Sequence, residues 1–247
     1  MNPWKNIAAI YDKERDASSF PAMLIDDLVV SLVTNEPKRT ILDFGAGSGT
    51  TARLFHGLGH NVIAYEPTEE MRDVLKKRTP LNEFKRMRFI SSLNEVEELR
   101  GVDTLVCLNV VDHISDVPEA FALFKNTLKP KGQLILSIPH PVKNLGEWVK
   151  ERSEGAWKYL YYRLDGYLGE REVRRNWEDE NGNLVVANVS CFHRTMSTYY
   201  NWLHDAGFNV VKMFEPAPSK EDFSKHPVLS EKSSRIPLFW VMNCSLR

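Results

Sequence analysis

Apolar residues recur along this chain in two rhythms, and the change from one to the other predicts the fold. After a polar opening with anchors at Trp4, Ile7, Ile10, Tyr11 and Phe20, the residues Met23, Leu24, Leu28, Val29 and Leu32 fall at helical spacing. Pro21 suits a first helical position, and Asn35-Glu36-Pro37-Lys38 breaks the pattern. From Thr40 onward, short apolar runs read as strands: Thr40 to Phe44, Asn61 to Glu66, Met87 to Ile90, Asp103 to Leu108 and Gln133 to Ile138. Helical patterns lie between them, at Thr50 to His56, Pro67 to Lys77 with Thr68 as N-cap, Asn94 to Leu99, and Val117 to Leu128. Strands that are apolar at nearly every position belong to a parallel sheet covered on both faces.

The rhythm fails over residues 139–190. Trp148, Trp157, Tyr159, Tyr161, Tyr162, Tyr167 and Trp177 stand there among many charges. The stretch reads as an insertion or cap, helical in part, with Glu180-Asn181-Gly182-Asn183 as a turn between extended segments. Thr195 to Ala206 returns to helical spacing, with Gly207 as a fitting C-cap. Phe208 to Phe214 and Pro237 to Asn243 read as a closing antiparallel pair, joined by a polar loop holding Pro216, Pro218 and Pro227. The expectation is one α/β domain over residues 1–247. It has a doubly wound, mostly parallel seven-stranded sheet, an N-terminal helical segment over 1–35 and a substrate-side insertion over 139–192.

Composition narrows the class. The 247 residues are 43% hydrophobic and 26% charged, with a formal net charge of -1, so no overall basic footprint points to nucleic acid. Cys107, Cys191 and Cys244 lie far apart, with no CxxC pair, which argues against a zinc site or a redox dithiol and for a reducing compartment. The first residues show no long apolar stretch of a signal peptide, and no run approaches the roughly 18 apolar residues of a membrane helix. A soluble cytoplasmic protein is expected, without a metal, since neither an HExxH motif nor a ligand cluster is present.

The candidate chemistry begins at Asp43-Phe44-Gly45-Ala46-Gly47-Ser48-Gly49. A buried strand ends there and the chain must turn into a helix; glycines permit positive φ angles and let a ligand touch the backbone. Such a loop lies at the carboxyl edge of a parallel sheet, where open α/β folds bind ligands. Glu66, at the end of the next strand, can accept hydrogen bonds from both hydroxyls of a ribose. Dinucleotide binding wants G-x-G-x-x-G, but the sixth position here is Thr50. Asp43, two residues before the first glycine, is awkward beside a pyrophosphate. It suits a ligand with an ammonium and a sulfonium, so electrostatics favour S-adenosylmethionine over NAD.

At these residues the sequence resembles the class I (Rossmann-like) S-adenosylmethionine-dependent methyltransferases. Ile41 to Gly49 is similar to that family's first motif, Glu66 to its ribose-binding acid, Val102 to His113 to its fourth motif, and Leu128 to Leu134 to the segment leading into strand five. His193 to Tyr199, Asp205-Ala206-Gly207-Phe208 and Glu215-Pro216 resemble a small-molecule subgroup. The resemblance implies that Asp43, Gly45, Ala46 and Gly47 hold the methionine moiety, with Asn109 facing the same end. It places Glu66 on the ribose, Pro67 and Met71 near the adenine, and Tyr11 over the cofactor. Where the family often has an aspartate reaching the adenine, this chain reads Ile90-Ser91-Ser92-Leu93, so Ser92, Leu93 or a backbone group stands in its place.

Three histidines are candidates for a general base: His113 after strand four, His140 between Pro139 and Pro141, and His193 after the insertion. Each has a structural role available instead, as a loop-shaping or turn residue. His56, His60, His204 and His226 read as surface or helix-end residues. Arg152, Arg163, Arg171, Arg174 and Arg175 are interleaved with acids, the pattern of a solvated face, although an anion or RNA contact is the other reading. The methyl acceptor implied is a small molecule, through an O, N or C atom. Other readings are an RNA (tRNA) methyltransferase, a nicotinamide-dependent oxidoreductase disfavoured by Thr50, and a relative that binds the cofactor without catalysis.

Overall fold

Alternate residues of each central strand feed opposite hydrophobic cores, which is why these strands carry no polar face. In this computed structural model the residues described are 20–33, 38–79, 85–153, 156–178 and 184–247, with Ala8 and Asp12. The chain runs α1 (Phe20–Ser31), β1 (Thr40–Phe44), α2 (Thr50–Gly57), β2 (Asn61–Tyr65), α3 (Glu69–Arg78), β3 (Met87–Ile90), α4 (Leu93–Glu97), β4 (Val102–Leu108), α5 (Val117–Thr127) and β5 (Leu128–Pro139). Two hairpins follow, β6 (Gly146–Ser153) with β7 (Ala156–Leu164), and β8 (Arg171–Glu178) with β9 (Leu184–His193). Then come α6 (Met196–Ala206), β10 (Phe208–Phe214), α7 (Lys220–Lys225), α8 (Pro227–Arg235) and β11 (Phe239–Leu246).

Seven strands form one sheet in the order β10-β11-β5-β4-β1-β2-β3. β1 pairs in parallel with both β2 and β4, and only β11 runs against its neighbours, β5 and β10. Leu42, Leu105, Cys107, Leu134, Leu136, Trp240 and Met242 enter one core with Phe121 and Phe124 of α5 and Tyr199 of α6. Ile41, Val106, Ile135 and Val241, one residue out of phase, enter the other with Phe55 of α2 and Ile25 and Val29 of α1. This is the doubly wound, mostly parallel sheet the apolar runs predict. The chain winds outward from β1 in one direction and from β4 in the other, so the loops leaving these two strands part and open a crevice at their carboxyl ends.

Two expectations are corrected. The segment after β5 contains no α-helix among the described residues; beyond one short 3-10 turn at Pro141–Asn144 it is two antiparallel hairpins. Cross-strand pairing explains this: Trp148 stands opposite Tyr162 with ring centroids 5.3 Å apart, and aromatic pairs of that kind stabilise strands. The turn expected at Glu180-Asn181-Gly182-Asn183 lies outside the described residues. The polar stretch before β11 is helical rather than a loop. Ser219 and Asp222 form a reciprocal capping box on α7, and Pro227 opens α8 at a position where a missing N–H costs nothing. His56 stands in the last turn of α2, as a helix-end residue, but it and His60 are buried, and the His60 Nδ1 accepts the Arg39 amide at 3.1 Å.

Phe124 lies wholly in the first core, 4.8 Å from Phe44 and 6.0 Å from Phe121 between ring centroids. Phe124→Ala leaves a cavity under β1 and is expected to cost about 3–5 kcal/mol of stability, read from urea unfolding midpoints. A loss under about 1 kcal/mol would mean that helix and sheet close over the gap.

Candidate functional site

The loop after β1 is built for close approach. Gly45 has φ +81°, and a Cβ there would stand 2.5 Å from Cγ2 of Val110. Gly49, also at φ +81°, caps α2, and a Cβ there would collide with Leu75 of α3. The amides of Gly45 and Ala46 both donate to the Tyr65 carbonyl, at 2.9 and 2.8 Å, which ties the exit of β1 to the end of β2. Asp43, Gly45, Ala46, Ser48, Thr50, Thr51, Leu108 and Asn109 line a small polar hollow at this edge. Asp43 is 3% exposed at its mouth. Asn109 leaves β4 with φ +57°; its amide donates to the Ser137 carbonyl at 2.8 Å and its Oδ1 accepts from the Ser137 hydroxyl at 3.2 Å.

Glu66 closes the other side. Its carboxylate accepts the Gly47 amide at 2.9 Å and the Thr68 amide at 2.8 Å, and the side chain is 6% exposed. Burial raises its pKa; the two amides, the Thr68 hydroxyl and Arg72 oppose that rise without cancelling it. Pro67 follows it, exposed, and Met71 is buried on α3. At the end of β3, the Ser92 hydroxyl is engaged with Glu95 in a capping box on α4 and Leu93 is 47% exposed. Tyr11 lies outside the described residues. The donor set fits S-adenosylmethionine: a buried acid for a cation, a second acid for a diol, and a glycine backbone between them that a ligand can touch. Among the described residues no cluster of three or more His, Cys, Asp or Glu groups is placed to hold a metal ion.

Each of the three histidines is held by its own partners. His113, on the 3-10 turn Val111–His113 after β4, directs Nδ1 at the Ser190 carbonyl of β9, 2.9 Å away. A carbonyl only accepts, so that nitrogen carries the proton. His193 ends β9 fully buried, with Nε2 on the Tyr167 carbonyl at 2.7 Å; its Nδ1 lone pair has no partner among the described residues. His140 caps the turn Pro141–Asn144, its Nδ1 accepting the Val142 amide at 3.3 Å and its Nε2 meeting Glu215 at 2.8 Å. Both nitrogens of His140 are thereby engaged.

Sequence reasoning overlooked what holds the loop after β4. Asp112 is 1% exposed and pairs with Arg175 of β8 at 3.1 Å. Arg194, stacked on Phe192 at 4.6 Å, donates to the carbonyls of Ile114 and Ser115 at 2.7 and 2.8 Å. The second hairpin thus grips the turn that begins at Asn109. Arg175 is therefore not part of a solvated face, whereas Arg163 does pair with Glu147 in the open. The only signal in the sequence was that Arg194 adjoins a histidine already singled out.

Burial lowers the pKa of His140 against the opposing pull of Glu215. A neutral folded-state imidazole means that acid protonates the unfolded chain first, so this group's contribution falls as pH drops through 6.5 toward the folded value. His140→Asn is expected to be less stable than the parent, with a gap that is widest near pH 8 and narrows by about pH 5. Urea unfolding across that range checks it, and a gap that stays constant would contradict it.

Comparison with known proteins agrees with this geometry. Residues 15–213 match the family described as methyltransferase domain. An uncharacterised protein of Haemophilus influenzae is 25% identical over 248 residues, 96% of this chain and 93% of that one. A ubiquinone biosynthesis O-methyltransferase of Rickettsia bellii is 31% identical over 103 residues, which span 42% of this chain and 43% of that enzyme. The solved structure of an S-adenosylmethionine-dependent methyltransferase from Mesorhizobium loti superposes with a TM-score of 0.67 at 22% identity, covering 87% of this chain and 95% of that one. The family match spans most of the chain, and the β10-β11-β5-β4-β1-β2-β3 sheet with its glycine loop accords with it: the chain belongs to the methyltransferase domain family.

Proposed function

We propose that this methyltransferase carries a methyl group from S-adenosylmethionine to an O, N or C atom of a small molecule held under the two hairpins. The observation that carries the reading is the pair of buried acids, Asp43 and Glu66, on either side of a loop whose glycines leave its backbone open to a ligand. The cofactor supplies an already activated methyl on a sulfonium, so the protein's tasks are alignment and exclusion of water. Asp43 faces the cationic methionine end, Glu66 the ribose, and Pro67 and Met71 flank the adenine, with Ser92 and Leu93 at the edge of β3. Tyr11 completes the cofactor side in this reading. Asn109 holds the rim of the hollow, fixed by Ser137.

The insertion over 139–192, with the two hairpins that begin at Gly146 and end at His193, forms the acceptor side of one domain. His193 is the histidine with a lone pair to offer as base, and His113 and His140 serve more by shaping the rim. The aligned R. bellii relative acts in ubiquinone biosynthesis, which supports a small-molecule acceptor over RNA. No described helix is long and apolar enough to cross a membrane. The three free, buried thiols support a cytoplasmic setting.

Asp43→Ala and Glu66→Ala are each expected to weaken S-adenosylmethionine binding by roughly tenfold or more, the scale of one lost charge-assisted hydrogen bond. Titration calorimetry reads this directly. Retention of the parent affinity by both variants would remove the basis of the assignment.

A further inference from the structure

The polar hollow at the end of β1 holds two groups that the fold itself leaves unused. Ser48 lines it beside Asp43 and is 1% exposed, and its hydroxyl has no hydrogen-bond partner among the described residues. A buried hydroxyl that gives up water without gaining a partner is costly, so an orphan at a ligand site marks a bond that the ligand completes. The second group is the start of α2. Its N-cap is Gly49, held at φ +81°, and a glycine has no side chain to accept from the first amides of the helix. The residues usually preferred there carry an oxygen that does so. Thr50 and Thr51, whose amides are among those left over, line the same hollow.

Arg53 ties these two groups together. From the first turn of α2 its guanidinium donates to the Ser48 carbonyl at 2.7 Å and to the Thr50 hydroxyl at 3.4 Å. It covers Gly49 so closely that a Cβ there would stand 3.2 Å from Nη1. Arg78, which shares a groove with Arg53, is paired with Asp12 at 2.7 Å. Arg53 is half-buried and has no carboxylate within ion-pair distance among the described residues.

The methionine end of S-adenosylmethionine carries an ammonium, a sulfonium and a carboxylate. Asp43 suits the two cations and repels the carboxylate, most strongly in a hollow walled by buried groups. Such a ligand is held there only if the hollow also offers donors to an anion. The unused Ser48 hydroxyl and the uncapped helix start, with its partial positive charge, are donors of that kind, and Arg53 adds a full charge behind them.

We propose that Ser48 and the N-terminal end of α2 bind the carboxylate of the cofactor's methionine moiety, and that Arg53 is the positioning residue that holds Ser48 for it. The inference rests on the reading that Asp43 faces the cationic part of the same ligand. The ammonium and the carboxylate sit on one carbon of the methionine. Fixing both sets the direction in which the chain leaves that carbon toward the sulfonium, and alignment for an in-line displacement begins there.

The test compares S-adenosylmethionine with its decarboxylated form, which keeps the nucleoside, the sulfonium and the ammonium, by titration calorimetry on the full-length chain. The parent is expected to bind S-adenosylmethionine roughly tenfold to a hundredfold more tightly than the decarboxylated form, the range for a hydrogen bond to a charged group. Ser48→Ala weakens binding of S-adenosylmethionine, leaves that of the decarboxylated form unchanged, and so removes most of the preference. Arg53→Met narrows the preference and Arg53→Lys keeps most of it. A general loosening of the loop would weaken both ligands alike and leave their ratio where it was. Equal binding of the two forms by the parent, or a ratio that survives in Ser48→Ala, overturns the inference; a ratio that survives in Arg53→Met overturns the role given to Arg53. Asp43→Ala weakens both ligands, since both carry the cations. If the parent binds neither form, the methyltransferase reading falls and this inference falls with it.

Discussion

The loop that follows β1 depends on one carboxylate. Glu66 bridges the first amide of the next loop, at Thr68, and the Gly47 amide in the loop after β1, so a single side chain sets the distance between two strand ends. Burial raises its pKa against the opposing pull of the two amides. In the function we propose, the two hydroxyls of a ribose complete the hydrogen bonding of this carboxylate, the kind of perturbed group that concentrates at ligand sites. The rest of the hollow is arranged around it: Tyr65 receives the two amides that start the glycine loop, and Gly45 leaves room for Val110.

The central sheet was legible in the sequence because its determinants are local. A strand such as Thr104-Leu105-Val106-Cys107 is apolar at successive positions, and no surface strand would be. The placement of the two candidate-site acids was legible for a related reason: Asp43 and Glu66 stand at fixed places relative to strand ends, so a spacing along the chain is a position in space. Helical propensity, by contrast, misled over Pro216, Pro218 and Pro227. Prolines read as loop-makers, yet Pro227 opens a helix, and only the capping box at Ser219 and Asp222 revealed the helix before it.

The insertion was the least legible part, since what organises it is not local. Trp148 and Tyr162 are fourteen residues apart and meet only because two strands pair. Arg175 and Asp112 are sixty-three residues apart in the chain and meet only because β8 folds back over the turn after β4. A charge interleaved with acids looks like a solvated face until its partner is known, and for Arg175 that partner is a carboxylate buried to 1%. Breaking such a pair strands a charge, which is costly, so the hairpin and the turn are held together far more firmly than a surface ion pair would hold them.

That linkage also fixes one wall of the crevice. The Asp112–Arg175 pair and the Arg194 bonds to the carbonyls of Ile114 and Ser115 hold the second hairpin to the turn that begins at Asn109, and Asn109 lines the same hollow as Asp43. In the displacement we propose, which needs alignment more than acid–base assistance, a wall fastened by a buried pair is itself a means of alignment.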